Sequence, residues 1–225
     1  MNTRIVKKTY LALCLMLLIS CAGLKTSPDA ELAFEQGLVL FNQGKYEQAI
    51  PNFQRAADIE SDYTQAYIYL GRSYLNISQW VDAIPPLRTA YSLSPAETKK
   101  EAVNLLLDAL IGGALQELKK GNLKNSIGYF KEALDVDPAS DKAKNELVSA
   151  LMAYGGSLMS EGDFADAIVQ FSEAVELAPA NINAYRGLAE AFINNGNFFD
   201  AMKTINKAIN IAPSEEERTL LRDLL

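Results

Sequence analysis

Five segments of the 225-residue chain repeat one pattern, and this recurrence constrains the fold more than any other feature. Each contains a small residue, a large apolar residue four positions later and an alanine three positions after that. The small residues are Ala49, Ala83, Ser126, Ala167 and Ala201; the large ones are Phe53, Leu87, Phe130, Phe171 and Ile205; the alanines are Ala56, Ala90, Ala133, Ala174 and Ala208. Because spacings of three and four place side chains on one helical face, each segment is predicted to be an amphipathic helix.

A second helix is predicted before each of these segments. "AYIYLGRSYLN" precedes the second segment, and "AYRGLAEAFIN" precedes the fifth. The order aromatic, leucine, small residue, aromatic resembles the first helix of the tetratricopeptide repeat. The residues that trail the later segments match the terminal proline of that repeat: Pro95, Pro138, Pro179 and Pro213. The chain is therefore similar to tetratricopeptide repeat proteins over residues 30–215.

This resemblance implies an all-α fold, a right-handed superhelical solenoid of helix hairpins. A single repeat cannot bury its apolar face, so neighbouring repeats stack. The predicted repeats are 30–63, 64–97, 107–140, 148–181 and 182–215. The extra residues 98–106 and 141–147 contain no turn signal and are predicted to lengthen two first helices by about two turns. Glycine pairs in these helices, Gly112-Gly113 and Gly155-Gly156, indicate close helix contact, since glycine otherwise destabilises a helix.

The turns and the tail carry capping signals. Asn122, Asp163 and Asn197 are expected to cap the second helices of their hairpins. Ser214, followed by Glu217, resembles a capping box and predicts a last helix over 216–225. An apolar stripe follows this start: Leu220, Leu221, Leu224 and Leu225. The helix is expected to cap the solenoid, and a docking helix for a partner is the alternative.

The first 29 residues predict export and a lipid anchor. Met1–Lys8 carries three bases and no acid, and a short apolar run follows, as in a secretory signal peptide. Leu18-Ile19-Ser20-Cys21 resembles the bacterial lipobox, which implies removal of residues 1–20, acylation of Cys21 (palmitate in lipoproteins) and a linker over 21–29. Ala22 after the cysteine favours the outer membrane, facing the periplasm. In an organism with a single membrane, the same anchor predicts the outer face of the cell membrane.

Composition argues against most catalytic and nucleic-acid functions. The chain has no histidine, and the predicted mature form keeps a single cysteine, so neither a catalytic histidine nor a histidine metal ligand exists. No cofactor, metal site or catalytic residue is predicted. Removing residues 1–20 changes the net charge from −7 to −10, which disfavours nucleic acid. The acidic pairs Asp135/Asp137 and Asp163/Asp166 lie at predicted helix ends and turns, where solvated charge is ordinary.

The resemblance implies that the first helices line a concave groove that binds peptides. The predicted groove residues are Phe34, Leu38, Phe41, Ile68, Arg72, Leu75, Ile111, Leu115, Met152, Met159, Arg186, Glu190 and Asn194. Phe34 and Leu38 stand in place of the lysine and asparagine with which some family members bind a terminal carboxylate, so that ligand is not expected. A largely apolar groove suits an amphipathic helix or an extended peptide.

The favoured functional hypothesis is a lipid-anchored interaction scaffold that binds another protein of the bacterial cell envelope. Anchor and repeats together resemble lipoproteins that pilot secretins in pilus assembly or help to assemble outer-membrane barrels. An adaptor or regulator of cell-wall enzymes is the alternative, and a carboxylate-dependent hydrolase is a third, weaker hypothesis. The partner, the process and the oligomeric state stay open.

Overall fold

The computed structural model of the protein describes residues 26–97 and 99–224, which form eleven α-helices and no β-strand. The helices are α1 (Pro28–Asn42), α2 (Tyr46–Ile59), α3 (Thr64–Asn76), α4 (Trp80–Leu93), α5 (Lys99–Lys119), α6 (Leu123–Val136), α7 (Asp141–Glu161), α8 (Phe164–Leu177), α9 (Ile182–Asn194), α10 (Phe198–Ile211) and α11 (Glu215–Arg222).

Consecutive helices pack as five hairpins, from α1–α2 to α9–α10, and each second helix also packs on the first helix of the next hairpin. First helices of neighbouring hairpins touch as well: α1 contacts α3, α3 contacts α5 and α7 contacts α9. Second helices of neighbouring hairpins make no comparable backbone approach within the described residues. The array therefore curves with its first helices on the inner side. This is the all-helical solenoid that the repeats predicted.

One backbone device closes all five hairpins. One or two residues after each first helix ends, a residue has a left-handed conformation, with φ between 73° and 86° at four glycines and 58° at Ser78. In the second hairpin the Gln79 N–H then donates to the Tyr74 carbonyl at 2.9 Å. The equivalent bond is 2.8–3.0 Å long in the other four hairpins. Glycine suits this helix end because it has no Cβ to clash, so Ser78 is the costlier variant.

The predicted side-chain caps of the second helices are wrong. Asn122, Asp163 and Asn197 do occupy the N-cap positions, but none of their side chains bonds to its helix. Their ψ angles are 58–65°, because the hairpin turn sets the backbone there. The ψ angles are 90° or more at the N-cap residues whose side chains do accept the capping bond: Ser140, Asn181 and Ser214.

Each hairpin core pairs a large residue of the second helix with a small residue of the first. A Cβ added at Gly37 would lie 2.7 Å from the Phe53 ring, and one added at Gly71 would overlap Leu87. Phe53 and Leu87 are fully buried. The small residues and the alanines of the repeat pattern are likewise at most 1% exposed. Small side chains thus allow the two helices of a hairpin to approach closely, as the sequence predicted.

Two first helices are longer than the others. Helices α5 and α7 have 21 residues each, whereas α3 and α9 have 13. Gly112 lies against Trp80, Gly113 lies against Ile84 and Gly155 lies against Phe171. A Cβ at Gly156 would meet nothing within 4 Å. Close contact is therefore confirmed for three of the four paired glycines and is wrong for Gly156, which faces open space.

Helix α11 caps the last hairpin. The Ser214 hydroxyl accepts a hydrogen bond from the Glu217 N–H at 3.2 Å and donates to the Glu217 carboxylate at 3.1 Å. Leu221 is 2% exposed and packs in a cluster with Tyr185 and Ile205, and Leu224 lies against this cluster. Leu220, by contrast, is 55% exposed. The structure thus assigns Leu221 and Leu224 of the leucine stripe to capping, and Leu225 lies outside the described residues.

Candidate binding groove

A cleft of about 850 Å³ opens on the inner side of the array, between α3 and α5. Its lining residues are Arg72, Leu75, Asn76, Ser78, Trp80, Leu105, Asp108, Ile111, Gly112, Leu115, Gln116, Lys119 and Lys142. Four of the predicted groove residues meet here, namely Arg72 and Leu75 from α3 with Ile111 and Leu115 from α5. The helical spacing places each pair on one face, and the stacking of α5 beside α3 brings the two pairs together.

Sequence reasoning missed most of the other lining residues because it considered only part of the first helices. Trp80 begins the second helix α4, and its ring packs on Gly112 at the cleft wall. Leu105 and Lys142 lie in or beside the stretches by which α5 and α7 exceed the shorter first helices. The lone tryptophan, the central glycine and the extra residues were visible signals in the sequence, but only the packing joins them in one place.

The rim of the cleft is basic, although the chain as a whole is acidic. Lys119 and Lys142 are exposed there, facing a single lining acid, Asp108. Arg72 forms an exposed ion pair with Glu101 at 3.4 Å. Its guanidinium also lies 5.2 Å from the Tyr69 ring centroid, which holds this cation at the edge of the cleft.

A buried acceptor also lies in the cleft. The Gln116 Oε1 atom is shielded from solvent and has no hydrogen-bond partner among the described residues. Buried polar atoms are normally satisfied, and an unmet acceptor is costly. Gln116 is one of the lining residues, so this unmet acceptor belongs to the wall of the cleft.

The three groove residues predicted on α1 lie elsewhere. Phe34 and Phe41 belong to an aromatic cluster, with ring centroids 5.5 and 5.2 Å from Tyr69, and Leu38 packs beside them. All three side chains are half-buried. Ile68 on α3 is only 3% exposed and packs with Ala90 and Ala102, so it offers almost no surface to a ligand.

The remaining predicted groove residues lie on α7 and α9, outside the cleft lining. Met152 is half-buried, and its sulfur accepts a hydrogen bond from the Asn181 amide at 3.5 Å. Met159 packs against the cluster around Phe171. Three polar residues are exposed or half-exposed on α9: Arg186, Glu190 and Asn194. The structure thus divides the predicted groove into the cleft set, the α1 set and this carboxyl-terminal set.

A smaller cavity of about 340 Å³ lies where the turn between α5 and α6 faces α7. Lys124 and Tyr154 both line it, and a hydrogen bond to Tyr154 raises the pKa of the Lys124 ammonium. The cavity has less than half the volume of the cleft beside α3 and is lined mainly by polar residues, so the cleft is the better candidate for a binding site.

Sequence profiles identify the repeat type. A profile for the tetratricopeptide repeat matches residues 158–224, and a TPR repeat profile matches residues 37–77. This chain contains tetratricopeptide repeats. No curated protein sequence matches it.

Solved TPR structures resemble the chain. A TPR repeats protein from Bacteroides fragilis is 15% identical, covering 88% of this chain and 97% of its own, with a TM-score of 0.60. YrrB, described as a TPR protein with an unusual peptide-binding site, is 18% identical over 87% of this chain and 92% of its own, with a TM-score of 0.34. A thermophilic TPR protein from Thermus thermophilus is 20% identical, covering 87% of this chain and 98% of its own, with a TM-score of 0.34. The first of these supports the fold.

TPR arrays are typically protein–protein interaction scaffolds without catalytic activity, and two carboxylates of this chain, Glu117 and Asp137, bond to turns. Glu117 is the buried carboxylate of the described residues. Hydrogen bonds from Lys120 at 2.8 Å and Asn122 at 2.7 Å lower its pKa, so it stays ionised. The same bonds hold the turn after α5 in place. Asp137 accepts from the Ala139 N–H at 3.0 Å. Within residues 26–97 and 99–224, no group of three or more histidine, cysteine, aspartate or glutamate residues could hold a metal ion.

The predicted signal peptide 1–20, Cys21 and most of the linker 21–29 lie outside the described residues. Among the helices of the described part, none combines the length and the apolar character needed to span a bilayer.

Proposed function

We propose that this TPR protein is a membrane-anchored scaffold of the bacterial cell envelope, and that it binds a segment of a partner protein in the cleft between α3 and α5. The observation that carries the binding site is the convergence of Arg72, Leu75, Ile111 and Leu115 on one open cleft. Because the first helices form the inner side of a curved array, a ligand there contacts several repeats at once.

The lining of the cleft favours an acidic amphipathic segment. Leu75, Leu105 and Leu115 supply apolar surface for aliphatic or aromatic side chains. Arg72, Lys119 and Lys142 attract carboxylates, and opposite charges at a rim steer association and fix the register of binding. The unmet oxygen of Gln116 suits a backbone N–H of an extended peptide or a side-chain amide.

The proposed anchor rests on Leu18-Ile19-Ser20-Cys21, which resembles a lipobox. Two or more acyl chains hold a protein firmly at a membrane, whereas one holds it weakly. We expect fatty-acid label on the mature protein and its loss in Cys21→Ser. Label that persists in this variant would refute the anchor without touching the cleft.

Site-specific photocrosslinking in the native envelope tests the cleft. A photoreactive residue at Leu115 should capture a defined partner, and one at Val169, which is 57% exposed on α8, should not. Mass spectrometry of the captured band then identifies the process. A secretion, pilus or outer-membrane assembly component supports the favoured hypothesis, and a cell-wall enzyme identifies the chain as its adaptor. Capture at Val169 alone would place the interface elsewhere.

Charge reversal sharpens the test. Lys142 and Lys144 are both exposed on α7, but only Lys142 lines the cleft. Lys142→Glu should weaken capture of the partner at least tenfold, which corresponds to about 1.4 kcal/mol. Lys144→Glu carries the same charge change and should leave capture unchanged. Equal effects of the two substitutions would show that only the net charge of α7 matters.

A further inference from the structure

The carboxyl-terminal end of the array exposes residues that interior repeats bury. Between the second and third hairpins, Trp80 lies against Gly112 and Ile84 lies against Gly113, with Ile84 only 2% exposed. The matching positions of the last hairpin are Phe198, three residues before the small Ala201, and Met202 just after it. These side chains are 68% and 45% exposed, and the adjacent Phe199 is 73% exposed. Phe198, Phe199 and Met202 form what we call the tail patch.

Helix α11 leaves the tail patch open because it is too short to cover it. It has eight residues, and its buried Leu221 contacts the second half of α10, at Ile205, Ala208 and Ala212. The first turns of α10 therefore keep the apolar surface on which a further first helix would pack. Three large apolar side chains clustered on one helix are an unusual surface for a monomer.

The amino-terminal end also exposes apolar residues at positions that are buried in the next repeat. Leu32 and Val39 on α1 are 54% and 58% exposed. Counted from Gly37 and Gly71, the matching residues of the next first helix are Ala66 and Ser73, and both are fully buried against the preceding hairpin. Leu32, Glu35 and Val39 are spaced by three and four residues and so share one face of α1, which we call the head face.

The helices that carry the head face and the tail patch have opposite charges. Helix α1 carries Asp29, Glu31 and Glu35 and no base, whereas α10 carries Lys203 and Lys207 against one acid. Lys203 follows Phe199 by four residues and therefore lies on the same side of the helix. Neither Glu35 nor Lys203 takes part in a salt bridge within the described residues, and both are exposed.

We propose that a second copy of this chain covers the tail patch, with its head face packed on Phe198, Phe199 and Met202 and its Glu35 opposite Lys203. The second copy meets the first turns of α10 beyond the end of α11, because α11 already occupies the place where the first half of a further first helix would pack. Such a head-to-tail contact is heterologous, so repetition yields rings or open-ended assemblies rather than a closed symmetric dimer. The proposal uses surfaces other than the cleft and does not depend on its ligand.

Sedimentation of the purified full chain tests the contact. The wild-type chain should associate in a concentration-dependent way, and Val39→Glu or Phe199→Glu should each give monomers with unchanged helical content. Val169→Glu, an exposed site away from both ends, should assemble like the wild type. At about 1 mM protein, even a contact with a Kd near 1 mM gives detectable association. A wild-type chain that stays monomeric at that concentration overturns the proposal.

Mixing the variants separates a head-to-tail contact from a symmetric one. The Val39→Glu copy keeps an intact tail patch and the Phe199→Glu copy keeps an intact head face, so their mixture should form one heterodimer and nothing larger. Absence of that heterodimer contradicts the proposal. Dimers that persist in Val39→Glu alone show patch-to-patch pairing and also contradict it.

A charge swap tests the pairing of Glu35 with Lys203. Glu35→Lys and Lys203→Glu should each weaken association at least tenfold, and a mixture of the E35K copy with the K203E copy should recover it.

Discussion

Phe53 and Phe171 occupy the same repeat position at opposite ends of the array, but the protein packs them in different ways. Phe53 is fully buried among other rings, with centroid distances of 5.5 Å to Phe34 and to Tyr69. Phe171 is 6% exposed and lies between two glycines; a Cβ added at Gly155 or Gly187 would stand 2.8 or 2.5 Å from its ring. Each ring also touches a glycine of its own first helix, Gly37 or Gly155, so the difference lies in the next first helix. There Tyr69 packs on Phe53, whereas Gly187 brings the backbone of α9 against Phe171.

This difference explains the fate of the groove residues predicted on α1. Phe34 and Phe41 have the spacing of a ligand-binding stripe, but their rings are needed to surround Phe53. Beside Phe171, Gly187 stands at the position that Tyr69 has beside Phe53, so the backbone of α9 takes the place of a ring there. A large apolar residue on a first helix is therefore core or groove depending on how closely its neighbours approach.

Removing the two phenylalanines should give the largest effects and sharpen the comparison. Truncation of a buried phenylalanine costs about 3–5 kcal/mol, and each lost ring pair adds about 0.5–1.5 kcal/mol. We expect Phe53→Ala to lower the free energy of unfolding more than Phe171→Ala, as measured by urea denaturation. Phe198→Ala, at a site 68% exposed, serves as the control and should stay within about 0.5 kcal/mol. A greater loss for Phe171→Ala would show that the ring cluster adds nothing.

The double variant Phe34→Ala with Phe41→Ala should break the aromatic end. Both rings are half-buried, so we expect a loss of about 2–4 kcal/mol, less than two fully buried rings would lose. The pair Leu32→Ala with Val39→Ala changes exposed residues of the same helix and should have little effect on unfolding monitored at low protein concentration. If the phenylalanine double variant unfolds like the wild type, its rings are free surface, and the groove extends onto α1.

An added methyl group should disturb the glycine-lined end. Gly187→Ala forces a Cβ against the Phe171 ring and should destabilise by about 1–3 kcal/mol through overpacking. Gly156→Ala places the same methyl in open space, where alanine favours the helix by up to about 1 kcal/mol. Thermal unfolding of the two variants should shift in opposite directions. A shift in the same direction would contradict the close approach of α9 to α8.

The smallest effect concerns pH and the charged cap of the carboxyl-terminal end. Hydrogen bonds from Arg222 and Arg218 lower the pKa of Glu215 below its ordinary value of 4.5. A carboxyl with a lowered pKa stabilises the folded state above its unfolded pKa, and this contribution is lost as the pH falls through the folded pKa. The protection factors of the amides in residues 215–222, corrected for the pH dependence of intrinsic exchange, should therefore fall below about pH 4.5, while those of the aromatic end stay high.

Matched variants isolate the ion pairs. Glu215→Gln should remove most of the pH dependence of exchange in α11, because its neutral amide cannot titrate. Glu216→Gln, which changes the neighbouring exposed carboxylate, should leave that dependence in place. Equal exchange in both variants and in the wild type would show that helix capping by Ser214 alone holds α11.

Much of the candidate site was predictable, but only within single helices. Arg72 with Leu75, and Ile111 with Leu115, follow from helical spacing on the first helices. Their partners in the cleft could not be found in that way. Trp80 lies on a second helix, and Lys142 comes from the next hairpin, so their approach depends on how neighbouring hairpins stack.

The capping predictions show the same limit at a smaller scale. Ser214 and Glu217 bond as the local pattern predicted, because no tight turn precedes them. Asn122, Asp163 and Asn197 stand at the right positions but lack the bond, because the hairpin closure sets their ψ angles. A local rule fails where a neighbouring element has already fixed the backbone.

The sequence by itself determined the hairpins of this protein, because their small and large residues lie three or four positions apart and act within one helix or one pair. Only the tertiary structure decided what equal positions become. Ile84 is core and Met202 is surface, and Leu38 packs beside the aromatic cluster whereas Leu115 lines a cleft. Burial depends on the helix that packs opposite a residue, and that helix comes from a different part of the chain. At the two ends of the described array, no described helix covers some of these positions.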